Sequence, residues 1–384
     1  MATLLLSHEA HYMKKYLDYA ASAPILPEVK KWVISHLDYY GNPSSVHDDG
    51  YRTRNIVETA REIIADYIGC EARDLVFTSG ATESNTLAIM GARGICDSLI
   101  ISAIEHSSIG ECADSGIYES IFVAPVDRMG FVDLIELEGL LQSAKSPLVC
   151  IQWANNEIGT IQYISTIADI VHAYDGILFV DATQILPWLH AMIGKVDLSK
   201  VDMLSASAHK CGGLPGTGIL YRRHDIELSP LVYGHQERGL IGGTENWIGI
   251  GAFGEAILHQ PTVSEGMMVF SSRDRLWNEL KNRIPVIECN GPDFATMRVP
   301  NNLSVTIPGL NGQVATAALG FSGWRCSTGS ACNAAGYGSP VLRAIKQSES
   351  ETLRFSIGKH FTLKDAQQLA EEVYTIYQNY AEIL

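Results

Sequence analysis

Lys210 stands in Ser207-Ala-His-Lys210, between an apolar run at 201–206 and the glycine-rich stretch 212–218. A lysine just past a buried strand can hold an aldehyde as a Schiff base, provided its surroundings lower its pKa and keep the amine neutral. Its small and apolar neighbours argue against a surface lysine. Asp181, in Asp181-Ala-Thr-Gln184, ends the apolar run 176–180. A carboxylate there is costly unless paired. A protonated ring nitrogen would pair it, and capping the next helix is an equal alternative. Gln184 is spaced to reach an oxygen on the same ring. His106, after Glu105, could stack on a flat ring and shuttle protons, although a lone histidine is more often structural.

Gly80-Ala-Thr-Glu-Ser-Asn85 joins an apolar run to a helical stretch. The N–H groups of Ala81 and Thr82 at a free helix start suit a phosphate, and Thr82 adds a hydroxyl. An ordinary cap by Ser79 or Thr82 is the plain alternative. The paired amides of Asn155-Asn156 suit a carboxylate or ring oxygen, but would also suit a turn. Arg354, in a strand-like run, could fork a substrate carboxylate or simply be solvated. Cys332 closes Ser327-Thr-Gly-Ser-Ala-Cys332, a small-residue loop that could carry a thiol to a substrate and away again. An inert buried cysteine is the usual alternative, and Cys326 is the nearby competitor. An amine, a ring-nitrogen partner, a stacking ring and a phosphate cup together point to pyridoxal 5′-phosphate.

These residues need a frame. Apolar runs at 74–78, 98–102, 148–153, 177–180 and 201–205 lack strict alternation, as strands covered on both faces do. Helical stretches such as 82–92 and 164–174 lie between them. That alternation predicts an α/β fold with a mostly parallel sheet, whose ligands sit at the carboxyl ends of the strands. Each segment from Gly80 to Lys210 follows one of these runs. Beyond about residue 255, helices at 271–282 and 363–382 bracket shorter strands at 302–307 and 352–357. The expected division is a large cofactor-binding domain, 17–255, and a smaller α+β domain, 1–16 with 256–384.

The chain has 384 residues, 46% of them hydrophobic, enough for a large core and more than one domain. Its net charge of −15 disfavours direct nucleic-acid binding, which needs clustered cations. The eight cysteines form no CxxC pair, so zinc is not expected and a reducing compartment is. Leu4-Leu-Leu6 is too short for a signal peptide, and no apolar run is long enough to span a bilayer. A cytoplasmic protein is expected.

The ordered set of segments resembles the cysteine desulfurases, enzymes of the class-V aminotransferase group within fold type I of the pyridoxal-phosphate enzymes. Matching segments run from Tyr16-Leu-Asp-Tyr-Ala20 and Tyr40-Gly-Asn-Pro-Ser-Ser-Val-His47 to Arg354-Phe-Ser-Ile-Gly358. The resemblance implies a seven-stranded type of sheet and a homodimer. It gives Lys210 the Schiff base, Asp181 and Gln184 the ring nitrogen and ring oxygen, and His106 the stacking position. Thr82, Ser207 and His209 resemble the phosphate cup, with Thr244 lent by the other subunit. Asn156 and Arg354 resemble the clamp on the substrate carboxylate. Cys332 resembles the nucleophile that takes sulfur from L-cysteine as a persulfide, leaving L-alanine, before an acceptor protein collects it.

Departures from that pattern concentrate on the dimer-facing side. Ile241 stands where the family usually has arginine, Tyr233-Gly-His235 replaces a glycine run, and Gly213-Leu-Pro-Gly216 replaces Gly-Pro-Lys-Gly. The segment between Cys332 and Arg354 is short. These differences suggest a specialised branch, such as one serving DNA phosphorothioation rather than general iron–sulfur assembly; tRNA thiolation is a further destination for the sulfur. A selenocysteine lyase or another pyridoxal-phosphate lyase of the same fold is the nearest alternative. A non-catalytic dimeric scaffold would predict a broken cofactor set. A nucleotide site at 212–218 lacks the GxxxxGK[ST] order.

Overall fold

In the computed structural model, residues 15–194, 197–292, 297–329 and 338–381 are described. Seven strands form one sheet: β1 (Leu75–Thr78), β2 (Ser98–Ser102), β3 (Ser120–Ala124), β4 (Pro147–Gln152), β5 (Ile177–Asp181), β6 (Met203–Ser207) and β7 (Gly218–Arg222). Their spatial order is β1-β7-β6-β5-β4-β2-β3. β7 runs antiparallel to both of its neighbours, and the remaining pairs are parallel. Every residue of β1, β2, β4 and β6 is buried, which is why their sequences are apolar without alternation. β3 forms the edge and leaves Ile121 and Val123 exposed, so its apolar content gave no burial signal.

The strand expected at 201–205 lies two residues later. Ala206 and Ser207 pair with Ile219 and Gly218 of β7, a hairpin hidden by the glycines around it. That extension carries Ser207 to the strand end, one short turn before Lys210. The helix expected at 82–92 spans Ala81–Gly91, with Gly80 as N-cap. Helix Trp247–Leu258 packs closely on helix Asp48–Ile68. A Cβ on Gly254 would stand 2.9 Å from that of Ala60, so only glycine permits this approach.

A second sheet, β10-β9-β8, is antiparallel and consists of β8 (Glu288–Cys289), β9 (Asn302–Thr306) and β10 (Thr352–Ser356). Helices Val263–Arg283 and Leu363–Ala381 pack against each other beside it. The first begins with a capping box, Thr262 with Glu265, which satisfies two amides at once. The chain's start joins this region, since Tyr16 bridges to Arg325 and Asp18 to Ser356. No helix among the described residues is long and apolar enough to cross a membrane.

Candidate active site

The carboxyl ends of β1, β4, β5 and β6 open onto one cavity of about 400 Å³. Ala81, Thr82, His106, Asn156, Asp181 and Gln184 line it, as do Ser207, His209, Lys210 and Arg354. Residues spread over more than 270 positions of sequence thus meet at one place. Thr244 does not line this cavity of its own chain; it is exposed and accepts a 3.4 Å hydrogen bond from Asn42 Nδ2. Cys332 lies outside the described residues.

Asp181 is only 6% exposed. Its Oδ1 accepts from the Thr183 N–H at 2.9 Å and its Oδ2 from Asn85 Nδ2 at 3.0 Å. Both donors are neutral, and among the described residues no cationic side chain is bonded to this carboxylate. Asp181 does not cap the next helical element, Leu186–Trp188, which has Ile185 as N-cap and no side-chain cap; its Oδ1 braces the turn at Thr183 while the group still lacks a positive partner. Asn85 is held in turn by Ser205 Oγ at 2.5 Å. It was not singled out from sequence, yet it lies one helical turn beyond Ala81, on the face that meets the sheet.

Lys210 Nζ donates to the carbonyls of Ala20 at 2.6 Å and Ala21 at 2.7 Å. Gln184 Nε2 donates to the same Ala20 carbonyl at 2.9 Å. The chain's first described turn is therefore part of the site. His106 caps the helix Ser107–Asp114: its Nδ1 accepts the Ser108 N–H at 3.2 Å. Burial lowers its pKa, opposed by nearby Asp181 and assisted by Lys210. Near neutral pH the ring is therefore uncharged, with its proton assigned to Nε2. Burial likewise lowers His209 to about 4, with Lys210 adding to the effect.

The helix start at Gly80 has no side-chain cap, contrary to the ordinary-cap alternative with Ser79 or Thr82. The first amides of a helix have no partner within it. A Cβ on Gly80 would meet only Ser207 Oγ, at 3.9 Å, so the glycine opens space in front of those amides. Arg354 is 1% exposed, which rules out the solvated alternative. Nη2 pairs with Asp18 Oδ1 at 2.8 Å and Nη1 donates to the Asn156 carbonyl at 3.1 Å. Its buried Nε has no hydrogen-bond partner among the described residues, and neither has Thr183 Oγ1 in the same cavity. The site therefore presents an unpaired carboxylate, an uncapped helix end, a lysine and an arginine with a donor to spare. Pyridoxal phosphate, with one ring nitrogen and one phosphate, fits the first three.

Ile241 packs with Leu228 and Leu231 against a buried apolar cluster, so its side chain is spent on packing. The turn beside it is pinned by a buried ion pair, Glu237 to Arg61 at 2.8 Å, and by the Phe77 N–H on Glu237 at 2.7 Å.

The sheet order, the strand-end cavity and the lysine beyond β6 define an α/β protein with the architecture of fold type I. Its solved relatives include a NifS-like protein from Rickettsia africae, with a TM-score of 0.86, 30% identity, and coverage of 95% of this chain and 99% of that one. A structure described as SspA in complex with cysteine gives a TM-score of 0.76 at 31% identity, covering 91% of this chain and 99% of that one. The aminotransferase class-V profile matches residues 15–369, and the chain belongs to that family. Among curated relatives, cysteine desulfurase IscS of Dictyoglomus turgidum is 37% identical over 366 residues, 91% of each chain. The family is generally pyridoxal-phosphate-dependent.

Proposed function

We propose that this chain is a pyridoxal-phosphate-dependent L-cysteine desulfurase. The observation that carries this reading is the cavity at the strand ends. It joins Lys210 and the unpaired Asp181 carboxylate to the uncapped helix at Gly80 and the free Nε of Arg354. The cysteine desulfurase relatives and the cysteine-bound neighbour support L-cysteine as substrate. A scaffold without catalysis would have no need of these four features together.

Pyridoxal phosphate, when bound, supplies an electron sink that makes the α-proton of an amino acid acidic. Asp181 would hold the ring nitrogen protonated, Gln184 would face the ring oxygen, and the neutral His106 ring would stack. Ala81, Thr82, Ser207 and His209 would receive the phosphate. Thr244 would complete the cup from the second subunit of a homodimer, consistent with its exposure here. A phosphate dianion beside His209 would raise the pKa that burial lowers.

Arg354 and Asn156 would hold the substrate carboxylate. Lys210 Nζ, released from the Ala20 and Ala21 carbonyls, would take the α-proton and return it as product forms. The Cys332 thiolate would attack the substrate sulfur. The Cβ–S bond breaks, its electrons remain on carbon, and that carbon takes a proton. L-cysteine and the enzyme thiol become L-alanine and an enzyme persulfide, with no external oxidant. An acceptor protein would then collect the sulfur. The separate three-stranded sheet and the packing of helix Trp247–Leu258 support a division near residue 255. A cytoplasmic location fits the reduced thiol that this chemistry needs.

The test is alanine and persulfide production from L-cysteine, with a selenocysteine control. Wild type should form both products. Cys332→Ala should keep the cofactor's yellow colour and lose sulfur release. A wild type that binds the cofactor but leaves L-cysteine intact while cleaving selenocysteine would move the substrate assignment. Arg354→Lys should raise KM about tenfold or more, because lysine cannot reproduce the planar fork. An unchanged KM would remove Arg354 from the clamp.

A further inference from the structure

Asp181, Asn85, Ser108 and His106 border the cavity in a hydrogen-bonded row. Asp181 Oδ1 accepts the Thr183 N–H at 2.9 Å, and Oδ2 accepts from Asn85 Nδ2 at 3.0 Å. An ionised carboxylate only accepts, so it fixes the Asn85 amide with its NH2 group toward Asp181. The same Nδ2 donates to Ser108 Oγ at 2.9 Å, while Asn85 Oδ1 accepts from Ser205 Oγ at 2.5 Å. Both amide protons are then committed. Ser108 Oγ accepts on that side and has one proton left, for His106 Nδ1 at 2.8 Å. The Ser108 N–H faces the same nitrogen at 3.2 Å. With two donors converging on it, Nδ1 carries a lone pair, and the ring's proton is on Nε2.

We propose that Asn85 and Ser108 are positioning residues that transmit the polarity of the Asp181 carboxylate to His106 and hold its proton on Nε2. The use of that proton rests on the function proposed above: His106 offers a hydrogen-bond donor and leaves the part of base to Lys210. The row is rigidly specified because its middle is dry. Asn85 is 1% exposed and Ser205 is fully buried, so a reversed amide would set buried donors against each other. The same geometry disfavours the imidazolium, whose Nδ1–H would oppose the Ser108 N–H. Burial acts in the same direction on the ring's pKa, opposed by Asp181, assisted by Lys210 and opposed by Glu111 of helix Ser107–Asp114.

Asp181→Asn reverses the row without changing its shape. The Thr183 N–H would hold the new amide oxygen, which turns the new NH2 group toward Asn85. Asn85 must then present its oxygen, and Ser108 donates to that oxygen. The Ser108 lone pair now faces Nδ1, so the ring's proton moves to Nδ1 and its lone pair to Nε2.

Diethyl pyrocarbonate distinguishes the two states, because it acylates only a ring nitrogen with a lone pair. The test is labelling of the cofactor-free protein near neutral pH, followed by mass of the His106 peptide. Wild type should label slowly, since Nδ1 is covered. Asp181→Asn and Ser108→Ala should each label about fivefold faster or more, the worth of one neutral hydrogen bond. Ser108→Thr keeps the hydroxyl and should label like wild type. His209, in the same cavity but outside the row, should label at an unchanged rate throughout. A parallel rise at His209 would mean a loosened site and overturns the proposal. So does Asp181→Asn labelling like wild type, or Ser108→Thr labelling like Ser108→Ala. A second readout uses holoenzyme. Ser108→Ala should lower alanine formation about tenfold or more at saturating L-cysteine, with KM within about threefold. Unchanged turnover would overturn the assigned use of the Nε2 proton. A wild type that takes up no cofactor sinks the desulfurase reading instead, and the labelling rates still decide the relay.

Discussion

Lys210→Ala is expected to lower alanine formation from L-cysteine by about a thousandfold or more. The loss has two parts. The proposed covalent anchor for the cofactor disappears, and so does the proposed base for the α-proton. Added primary amines should restore part of the second role but not the first. The structure sharpens the expectation, because Lys210 Nζ is held by two carbonyls of one turn, at Ala20 and Ala21. Alanine at position 210 removes a donor to two part-buried backbone carbonyls rather than a core side chain, so the fold should persist. The checks are turnover, the visible absorption of the cofactor-loaded protein and a melting curve. Turnover within about tenfold of wild type would assign the base elsewhere.

Asp181→Ala is expected to act in opposite directions on the two forms of the protein. Without cofactor, Asp181 is a buried carboxylate held by two neutral donors. Its removal relieves a desolvated charge, and Asn85 Nδ2 keeps a bond to Ser108 Oγ at 2.9 Å. Stability of the cofactor-free protein should change by no more than about 1 kcal/mol. With cofactor, the same substitution would strip the proposed buried pyridinium of its counter-charge. Breaking such a pair costs about 3 kcal/mol, or roughly a hundredfold in cofactor affinity. Turnover at saturating cofactor should also fall, since an unprotonated ring is a weaker electron sink. Titration of the cofactor-free variant, with parallel melting curves, reads both signs. Equal destabilisation of both forms would make Asp181 a structural residue only.

Much of this site was legible because each segment follows a buried strand, and a parallel sheet brings such ends to one side. Asp181, Lys210 and His106 meet for that reason, although each alone had a plain alternative. Arg354 was ambiguous from sequence because strand alternation cannot say which face is covered. What decided it is the ion pair with Asp18, 336 positions away, which no local pattern announces. Asn85 was hidden among cap-like residues. β7 escaped because its flanking glycines read as loop, and with it went the true end of β6. Thr244 points to a different kind of limit: its assigned role would be played on another copy of the chain.

The ion pair between Asp18 and Arg354 has a consequence for how the protein is made. Strand ends from residue 78 to residue 207, with the lysine just beyond, can assemble the cofactor floor while the ribosome is still translating. The proposed substrate clamp cannot exist until β10 has emerged and met the turn at Asp18, a loop closure over 336 positions. A nascent chain truncated before Thr352 should therefore be able to bind the cofactor yet have no grip on an amino acid. On this reading, sulfur chemistry is withheld until β10 has been made.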